Sequence, residues 1–214
     1  ASWVFDISCD DMAFWQAAGV KHISWLPPLG ESALAPPSGE PAAPAPLVGD
    51  VVFLGNLTTP NNVRGVQWLL EQVLPLLRQR RPAVKVVVAG SNPGPYVRSL
   101  CAQAGVTLLA NPPDAVAVYR GARVLVNPVQ TGSGTHMKVI EMLFTAVPIV
   151  TASQGTCGLP PAVKTLMRVA ETPAAFAAQV SEALDQPGDC DAEREAARQL
   201  FGLPGLRQAL DAAA

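Results

Sequence analysis

The sequence predicts an α/β fold in which one parallel sheet carries helices on both faces. From about residue 50 onward, short apolar runs bounded by turn residues alternate with segments whose apolar residues recur at helical spacing. This alternation, one unit in roughly 25–35 residues, is typical of parallel strands joined by right-handed helical crossovers. Hydrophobic residues make up 49% of the 214 residues and charged residues only 15%, which is enough apolar material for a large core.

Residues 1–26 predict a strand–helix–strand fragment that is too small to stand alone. Its predicted elements are strands at 3–7 and 22–26 and a helix at 10–18. We expect Asp10 or Asp11 to cap this helix and Gly19 to end it. We interpret the three tryptophans here, at 3, 15 and 25, as core of an incomplete layer or as surface that the missing part would cover.

A linker and a regular α/β domain follow. Residues 27–49 are rich in proline, alanine and glycine and predict a linker, residues 50–188 predict the main domain, and residues 189–214 predict two helical pieces broken at 202–205. The predicted strands are 51–54, 84–88, 106–109, 123–126, 148–150 and 166–170, and the predicted helices are 61–79, 95–104, 115–120, 137–146 and 173–184. We expect Pro75 to kink or break its helix, because proline removes one helical hydrogen bond. Asp114 is expected to cap the helix that follows it.

The stretch TGSGTHMKVIE, residues 131–141, is the main candidate site. It places a glycine-bearing turn between a buried strand and a helix, where backbone N–H groups can point at an anion. If Ser133 or Thr135 caps the helix, Lys138 lies in its first turn and opposes the helix dipole at a cost of roughly 0.3–1 kcal/mol. A phosphate would neutralise that lysine. The alternative is a surface ion pair between Lys138 and Glu141, worth roughly 0.2–0.5 kcal/mol.

Composition and residue spacing exclude several classes of function. A net charge of −2 and a pI near 5.7 argue against a nucleic-acid binder. The four cysteines (9, 101, 157 and 190) and two histidines have no metal-type spacing, so we expect reduced thiols, no metal site and a cytoplasmic protein. No apolar run approaches the roughly 18 residues that a membrane span needs.

Several stretches, in this order, resemble the nucleotide-sugar-binding C-terminal half of GT-B glycosyltransferases, and most closely those of glycosyltransferase family 4. The matching stretches are FLG at 53–55 with PN at 60–61, VVVAG at 86–90, NP at 127–128, GSGTHMKVIE at 132–141, PIV at 148–150 and GTCGL at 155–159. They cover a domain from about residue 50 to 185. Residues 3–28 resemble the end of the family's first domain, which would make residues 1–26 the remainder of a truncated N-terminal domain.

The resemblance implies two facing Rossmann-like domains and transfer of a sugar from a nucleoside diphosphate to a glycan or another acceptor. Retention of anomeric configuration and independence from metal ions or other cofactors are implied too. On that reading Glu141 hydrogen-bonds the nucleotide ribose, the turn at 132–135 lies near the diphosphate and donor sugar, and the loop at 110–113 touches the base. The partners would be the sugar donor and a missing acceptor domain. The resemblance is also compatible with a lipid-linked acceptor at a membrane surface.

Combining both arguments, we predict two catalytic residues, Lys138 and Glu141. The predicted donor-binding residues follow the strands or form the glycine turn, and they are Gly55, Asn56, Asn61, Gly90, Asn111, Gly132, Ser133, Gly134 and Thr135. For Asn61 and Asn62 the alternative is a role in starting the helix. For His136 a structural role is weighed against a catalytic one.

The sequence departs from the family pattern at two places. Ser133 stands where many members have a glutamate eight residues before Glu141, and the loop at 56–62 lacks the usual arginine and lysine. We therefore give Lys138 part of the phosphate role on the helix-start argument alone. We predict that this chain binds nucleotide but transfers little or no sugar. The alternatives are a non-catalytic nucleotide-binding or partner-binding module, and a nucleotide-sugar epimerase of the same fold.

Overall fold

The computed structural model describes residues 3–30, 46–186 and 191–212, in which strands and helices alternate along the chain. The strands are β1 (Val4–Asp6), β2 (Ile23–Trp25), β3 (Gly49–Asn56), β4 (Val86–Ser91), β5 (Thr107–Ala110), β6 (Ala122–Asn127), β7 (Ile149–Thr151) and β8 (Arg168–Val169). The α-helices are α1 (Cys9–Ala17), α2 (Pro60–Trp68), α3 (Leu74–Arg80), α4 (Pro95–Ala104), α5 (Ala115–Arg120), α6 (Met137–Leu143), α7 (Pro161–Lys164), α8 (Pro173–Asp185), α9 (Asp191–Leu200) and α10 (Leu203–Asp211).

The main sheet has six parallel strands in the order β5-β4-β3-β6-β7-β8, and β1 and β2 form a separate parallel pair. The predicted fold class, a parallel α/β sheet of Rossmann-like topology, is confirmed. The chain first builds the sheet outward from β3 to one side and then returns to build from β6 to the other side. This change of direction leaves a crevice beyond the carboxyl ends of β3 and β6, where sheets of this kind bind ligands.

Both faces of the sheet are buried, and alternate residues of each strand point to opposite faces. On one face Val51 and Phe53 pack against α2, α3, α4 and α8, and on the other Val52 and Leu54 pack against α5, α6 and α9. Trp68 and Phe176 meet edge-to-face at 5.2 Å and join α2 to α8 on the first face. Helices therefore cover the sheet on two sides, as an all-parallel sheet requires.

The helix that the sequence predicts at 61–79 is interrupted near Pro75, as expected. A five-residue π-helical segment, Leu69–Val73, separates α2 from α3, and the N–H of Leu74 donates to the carbonyl of Leu69. Pro75 has no N–H to donate, and its ring would collide with the carbonyl four residues earlier in a regular α-helix. The wider π turn just before Pro75 accommodates this mismatch.

The prediction that Asp10 or Asp11 caps the first helix is wrong. Ser8 is the cap, and its Oγ accepts a hydrogen bond from the Asp11 N–H at 3.1 Å. Asp10 instead accepts from the N–H of Gly158 at 2.7 Å, and the Cys9 N–H donates to the Gly158 carbonyl at 2.9 Å. The start of α1 is thus held against the loop after β7, a long-range contact that the local pattern does not contain.

The prediction that Ser133 or Thr135 caps the helix of the candidate site is also wrong. His136 occupies the capping position without a capping hydrogen bond from its side chain, and α6 is only seven residues long, so it ends before the predicted residue 146. The Thr135 hydroxyl donates to the carbonyl of Ile7 at 3.2 Å. This short helix provides little dipole, and the site must be judged from the side chains that surround Lys138.

The first residues and the last helices pack against the main domain at different places. Trp25 meets Phe201 edge-to-face at 6.0 Å, whereas Trp3 and Trp15 are exposed, so these two are not core residues. Arg194 of α9 is buried, and its Nη1 donates to the carbonyls of Thr145 and Val147 at 2.8 and 2.6 Å. This side chain joins α9 to the turn between α6 and β7.

Some predictions concern residues outside the described ranges. Most of the predicted linker, residues 31–45, and Cys190 lie there. Cys9, Cys101 and Cys157 are free thiols. Within the described ranges, no helix is long and apolar enough to cross a bilayer. The same residues include no cluster of three or more histidine, cysteine or carboxylate side chains suited to a metal ion.

Candidate functional site

A cavity of about 710 Å³ opens at the carboxyl edge of the sheet, between the ends of β3 and β4 and the helices α5 and α6. Six of the predicted site residues line it: Gly55, Asn56, Gly90, Asn111, Lys138 and Glu141. Pro112 also lines it and belongs to the loop at 110–113, which the resemblance implies for the base. Six residues outside the predicted set complete the lining: Leu54, Ser91, Ala115, Val116, Tyr119 and Met137. The cavity is within the size range of small-molecule sites, roughly 300–1,000 Å³.

Lys138 supplies a cation to this cavity from the first turn of α6. Its Nζ donates to the Oδ1 of Asn62 and lies 4.9 Å from the ring centroid of Phe53, so one amide and one aromatic face support the ammonium. Burial lowers the pKa of Lys138 to about 8, because the interior disfavours the charged form. The ammonium is therefore still mostly protonated at neutral pH, and an anion entering the cavity would stabilise it.

Glu141 follows Lys138 by one helical turn and lines the same cavity. The backbone at Gly30 passes close to this carboxylate: a Cβ atom added to Gly30 would lie 3.2 Å from Glu141 Oε1 and 2.7 Å from Phe144 Cε2. The wall of the cavity that α6 forms thus carries a cation and a carboxylate one helical turn apart. A carboxylate accepts hydrogen bonds from hydroxyl groups, as the ribose role requires.

The ends of β3 and β4 meet closely beneath the cavity. Gly55 pairs with Gly90, and a Cβ atom added to Gly90 would lie 1.8 Å from the Gly55 carbonyl oxygen. No other residue type fits at position 90 without separating the two strands. Asn56 ends β3, and its Oδ1 accepts from the N–H and the hydroxyl of Thr58 at 2.9 and 2.7 Å. Its side chain therefore shapes the following turn.

Asn111 connects the ends of two neighbouring strands. It has a left-handed backbone with φ +51°, its N–H donates to the Gly90 carbonyl, and its Oδ1 accepts from the Asn92 N–H, both at 2.8 Å. Asparagine tolerates this conformation better than most residues. Its side-chain oxygen thus has a structural partner, and the backbone of its loop lines the cavity.

The glycine turn and Asn61 are not part of the cavity lining. Gly132 and Gly134 have φ values of +145° and +75°, and a Cβ atom added to Gly132 would lie 3.1 Å from Asn61 Nδ2. Ser133 is exposed, and Thr135 faces Ile7 as described above. The structure therefore places Asn61 beside the turn at 132–135, next to the cavity wall formed by α6 and outside the cavity itself.

His136 connects this turn to the end of β6. Its Nδ1 lies 3.3 Å from the Nδ2 of Asn127, and Asn127 Nδ2 also contacts the Thr151 hydroxyl at 3.3 Å. Burial, and secondly the charge of Lys138, lowers the pKa of His136, so the ring is neutral at neutral pH. A Cβ atom added to Gly155 would lie 2.4 Å from Asn127 Nδ2, so that glycine leaves room for this buried group. These contacts favour the structural role for His136.

The sequence did not reveal the apolar side of the cavity or the contacts of the polar residue Asn62. Val116 and Tyr119 of α5 line it, although their spacing in the sequence indicated only a helix packed on the sheet. Asn62 is buried, and its Nδ2 donates to the Asn56 carbonyl at 2.8 Å. From the sequence, Asn62 could either start the helix or contact a ligand, and nothing there indicated its hydrogen bond to Lys138.

Known proteins were compared with this chain. A family model described as glycosyl transferases group 1 matches residues 49–186, more than half of the chain. An uncharacterized 44.6 kDa protein in the cps region of Klebsiella pneumoniae is 28% identical over 117 residues, which are 51% of this chain and 30% of that protein. Among solved structures, TarM superposes with a TM-score of 0.73 at 13% identity, and HepE from Anabaena, in complex with UDP, with a TM-score of 0.70 at 15% identity.

These structural matches include 99% of this chain, but only 43% of TarM and 63% of HepE. The chain thus spans less than two thirds of the length of these proteins and less than a third of the Klebsiella protein. At such low identity the superpositions establish the fold. HepE has also been crystallised with UDP and glucose and with UDP-glucose.

Proposed function

Because the chain belongs to the group 1 glycosyltransferases, we propose that its cavity binds the nucleoside diphosphate part of a sugar donor. The observation that carries the proposal is the Lys138 ammonium in the cavity wall, one turn from the carboxylate of Glu141. The diphosphate would lie against Lys138, and Glu141 would accept hydrogen bonds from the ribose. The base would rest on the apolar side formed by Val116 and Tyr119. The complexes of HepE with UDP and UDP-glucose support this assignment.

In this proposal the protein assists sugar transfer by positioning and by electrostatics. Departure of the nucleoside diphosphate from the sugar increases negative charge on the phosphate oxygens, and a fixed ammonium in a partly desolvated cavity stabilises that charge. Retention at the anomeric carbon and transfer without a metal ion belong to the proposal because the family resemblance implies them. We also propose that this chain alone transfers little or no sugar, and that the acceptor is bound by a part of the whole protein that the chain does not include.

Calorimetric titration of UDP, GDP and ADP tests the site. We expect at least one of them to bind, and Lys138→Ala to weaken that binding roughly 10- to 100-fold, because a charge-assisted hydrogen bond contributes about 1.5–3 kcal/mol. Lys85→Ala is the matched control, since Lys85 is exposed and precedes β4 at the opposite edge of the sheet. Absence of binding by all three nucleotides at millimolar concentration would contradict the proposal.

The affinity of the wild-type chain is expected to fall as the pH rises above about 8, the pKa of Lys138. The sign follows from linkage: nucleotide binds best to the protonated lysine, so deprotonation competes with binding. Well above that pKa the loss approaches about tenfold per pH unit. Lys138→Arg keeps its charge throughout this range, so its affinity should not change between pH 7 and 9.5. A wild-type profile as flat as that of the arginine variant would show that Lys138 does not contact the phosphates.

A further inference from the structure

Asn62 is a buried polar residue next to the cavity wall, with 8% of its surface exposed. It lies in the first turn of α2, directly after the end of β3. Its Nδ2 donates to the carbonyl of Asn56 at 2.8 Å. Because only the nitrogen side of an amide can donate to a carbonyl, this bond determines the orientation of the Asn62 side chain. The oxygen Oδ1 therefore points away from β3, toward Lys138.

Asn62 Oδ1 accepts a hydrogen bond from Lys138 Nζ. The two residues are 76 positions apart in the chain, so this contact joins α2 to α6 across the carboxyl end of β3. The ring of Phe53 supports the same ammonium from the sheet, 4.9 Å from its centroid. A lysine ammonium has three N–H donors, so one bond to Asn62 leaves others to meet an anion in the cavity.

Gly55 gives the Asn62 amide room to reach this position. A Cβ atom added to Gly55 would lie 3.1 Å from Asn62 Nδ2 and 3.1 Å from Cζ of Phe53. The glycine at the end of β3 therefore does more than leave the strand end accessible to ligand. It lets the amide pack against the strand and reach the lysine.

We propose that Asn62 is the positioning residue for Lys138, holding its ammonium at the cavity wall where the phosphates of the ligand bind. This inference rests on the proposed function for the ligand, but the contact itself does not depend on any ligand. Burial lowers the pKa of Lys138, so the ammonium is costly at this depth, and a fixed acceptor such as Asn62 Oδ1 offsets part of that cost. Other titratable groups near Lys138 are His136, whose pKa is lowered by burial and secondly by the lysine charge, and Glu141, one turn further along α6. Tyr119 of α5 lines the same cavity.

The pKa of Lys138 in the chain without ligand is the first test, measured by NMR on the labelled lysine side chains. The chain has four lysines, at 21, 85, 138 and 164, and the Lys138 signal is identified by its loss in Lys138→Arg. Asn62→Asp places a carboxylate beside the ammonium and should raise the pKa of Lys138 by about one unit or more. Asn62→Leu removes the acceptor at similar volume and should lower it. Gln67→Leu is the control: it removes another amide of α2, one that contacts Glu71, and should leave the pKa of Lys138 unchanged.

An unchanged pKa of Lys138 in both Asn62→Asp and Asn62→Leu would overturn the proposal, whether or not any nucleotide binds. A merely structural role of Asn62 would alter stability without shifting the pKa in opposite directions. If Asn62→Leu does not fold, the isosteric Asn62→Asp still decides between these outcomes. Because it needs no ligand, the pKa measurement separates failure of this inference from failure of the proposed nucleotide site.

The second test measures the affinity for UDP and for uridine, which has no phosphates. Asn62→Leu should weaken UDP binding roughly tenfold, the effect of one misplaced charge-assisted contact, and leave uridine binding unchanged. In a Lys138→Met background the same substitution should have less than about a twofold effect, because the two residues act as one unit. Equal losses for UDP and uridine, or equal losses in both backgrounds, would show that Asn62 does not act through Lys138.

Discussion

Replacing Gly90 by alanine is expected to lower the free energy of unfolding by about 3 kcal/mol or more, because alanine would overpack a buried site and would have to adopt a positive φ of +158°. The added Cβ atom would lie 1.8 Å from the Gly55 carbonyl oxygen and 2.9 Å from Leu57 Cγ. Neither β3 nor β4 can move away cheaply, because each is paired on both sides in the sheet. Urea denaturation of the wild-type chain and of Gly90→Ala measures this difference in the free energy of unfolding.

Gly94→Ala is the matched control for this prediction. Gly94 lies in the loop after β4, and no heavy atom lies within 4 Å of a Cβ atom added there. It has φ −70°, which alanine adopts without strain, so a change of less than about 1 kcal/mol is expected for this helix-start position. Equal stability losses at 90 and 94 would mean that the close approach of the strand ends is not what requires glycine. Gly90→Ala should also weaken nucleotide binding, because Gly90 lines the cavity.

Replacing Arg194 by methionine is expected to cost about 2–5 kcal/mol of unfolding free energy. Arg194 is 1% exposed, and its guanidinium satisfies the carbonyls of Thr145 and Val147 in the turn between α6 and β7. Methionine keeps most of the apolar stem, so the loss reflects the two carbonyls that stay buried without these donors. Urea denaturation with the linear extrapolation gives the value.

Arg207→Met is the control, because Arg207 is exposed on α10 and a surface substitution of this kind changes stability by less than about 0.5 kcal/mol. Arg194→Lys should recover only part of the loss, since a lysine lacks the planar fork that reaches two carbonyls. A stability of Arg194→Met within error of Arg207→Met would show that α9 contributes little to holding this turn.

The order of strands and helices in the main domain could be predicted because local patterns carry it. The run of hydrophobic residues in β3 and β4, the break that Pro75 predicts just before it and the Asp114 cap of α5 each depend on neighbours in sequence. The predicted cap of α1 was wrong for the opposite reason. Asp10 is used in a hydrogen bond to Gly158, and a contact between residues 148 positions apart has no signature in the local pattern.

The predicted site residues come together only in part. Glycines and asparagines after strands placed them at the carboxyl edge of the sheet, and six of them line one cavity there. Lys138 was given a phosphate role from the helix dipole, but α6 has neither the cap nor the length that this role assumed. The turn at 132–135 was assigned to ligand, yet in the structure it lies beside Asn61, outside the cavity lining.

The sequence by itself determined that this protein is a parallel α/β domain with glycines and asparagines at the carboxyl ends of its strands, because hydrophobic periodicity and turn residues are local properties of the chain. Only the tertiary structure decided which groups surround the Lys138 ammonium. The Asn62 amide and the Phe53 ring reach it from α2 and β3, and Arg194 supports the turn behind α6 from a helix near the end of the chain. Buried polar groups need partners, and in this fold the partners come from distant segments that only packing brings together.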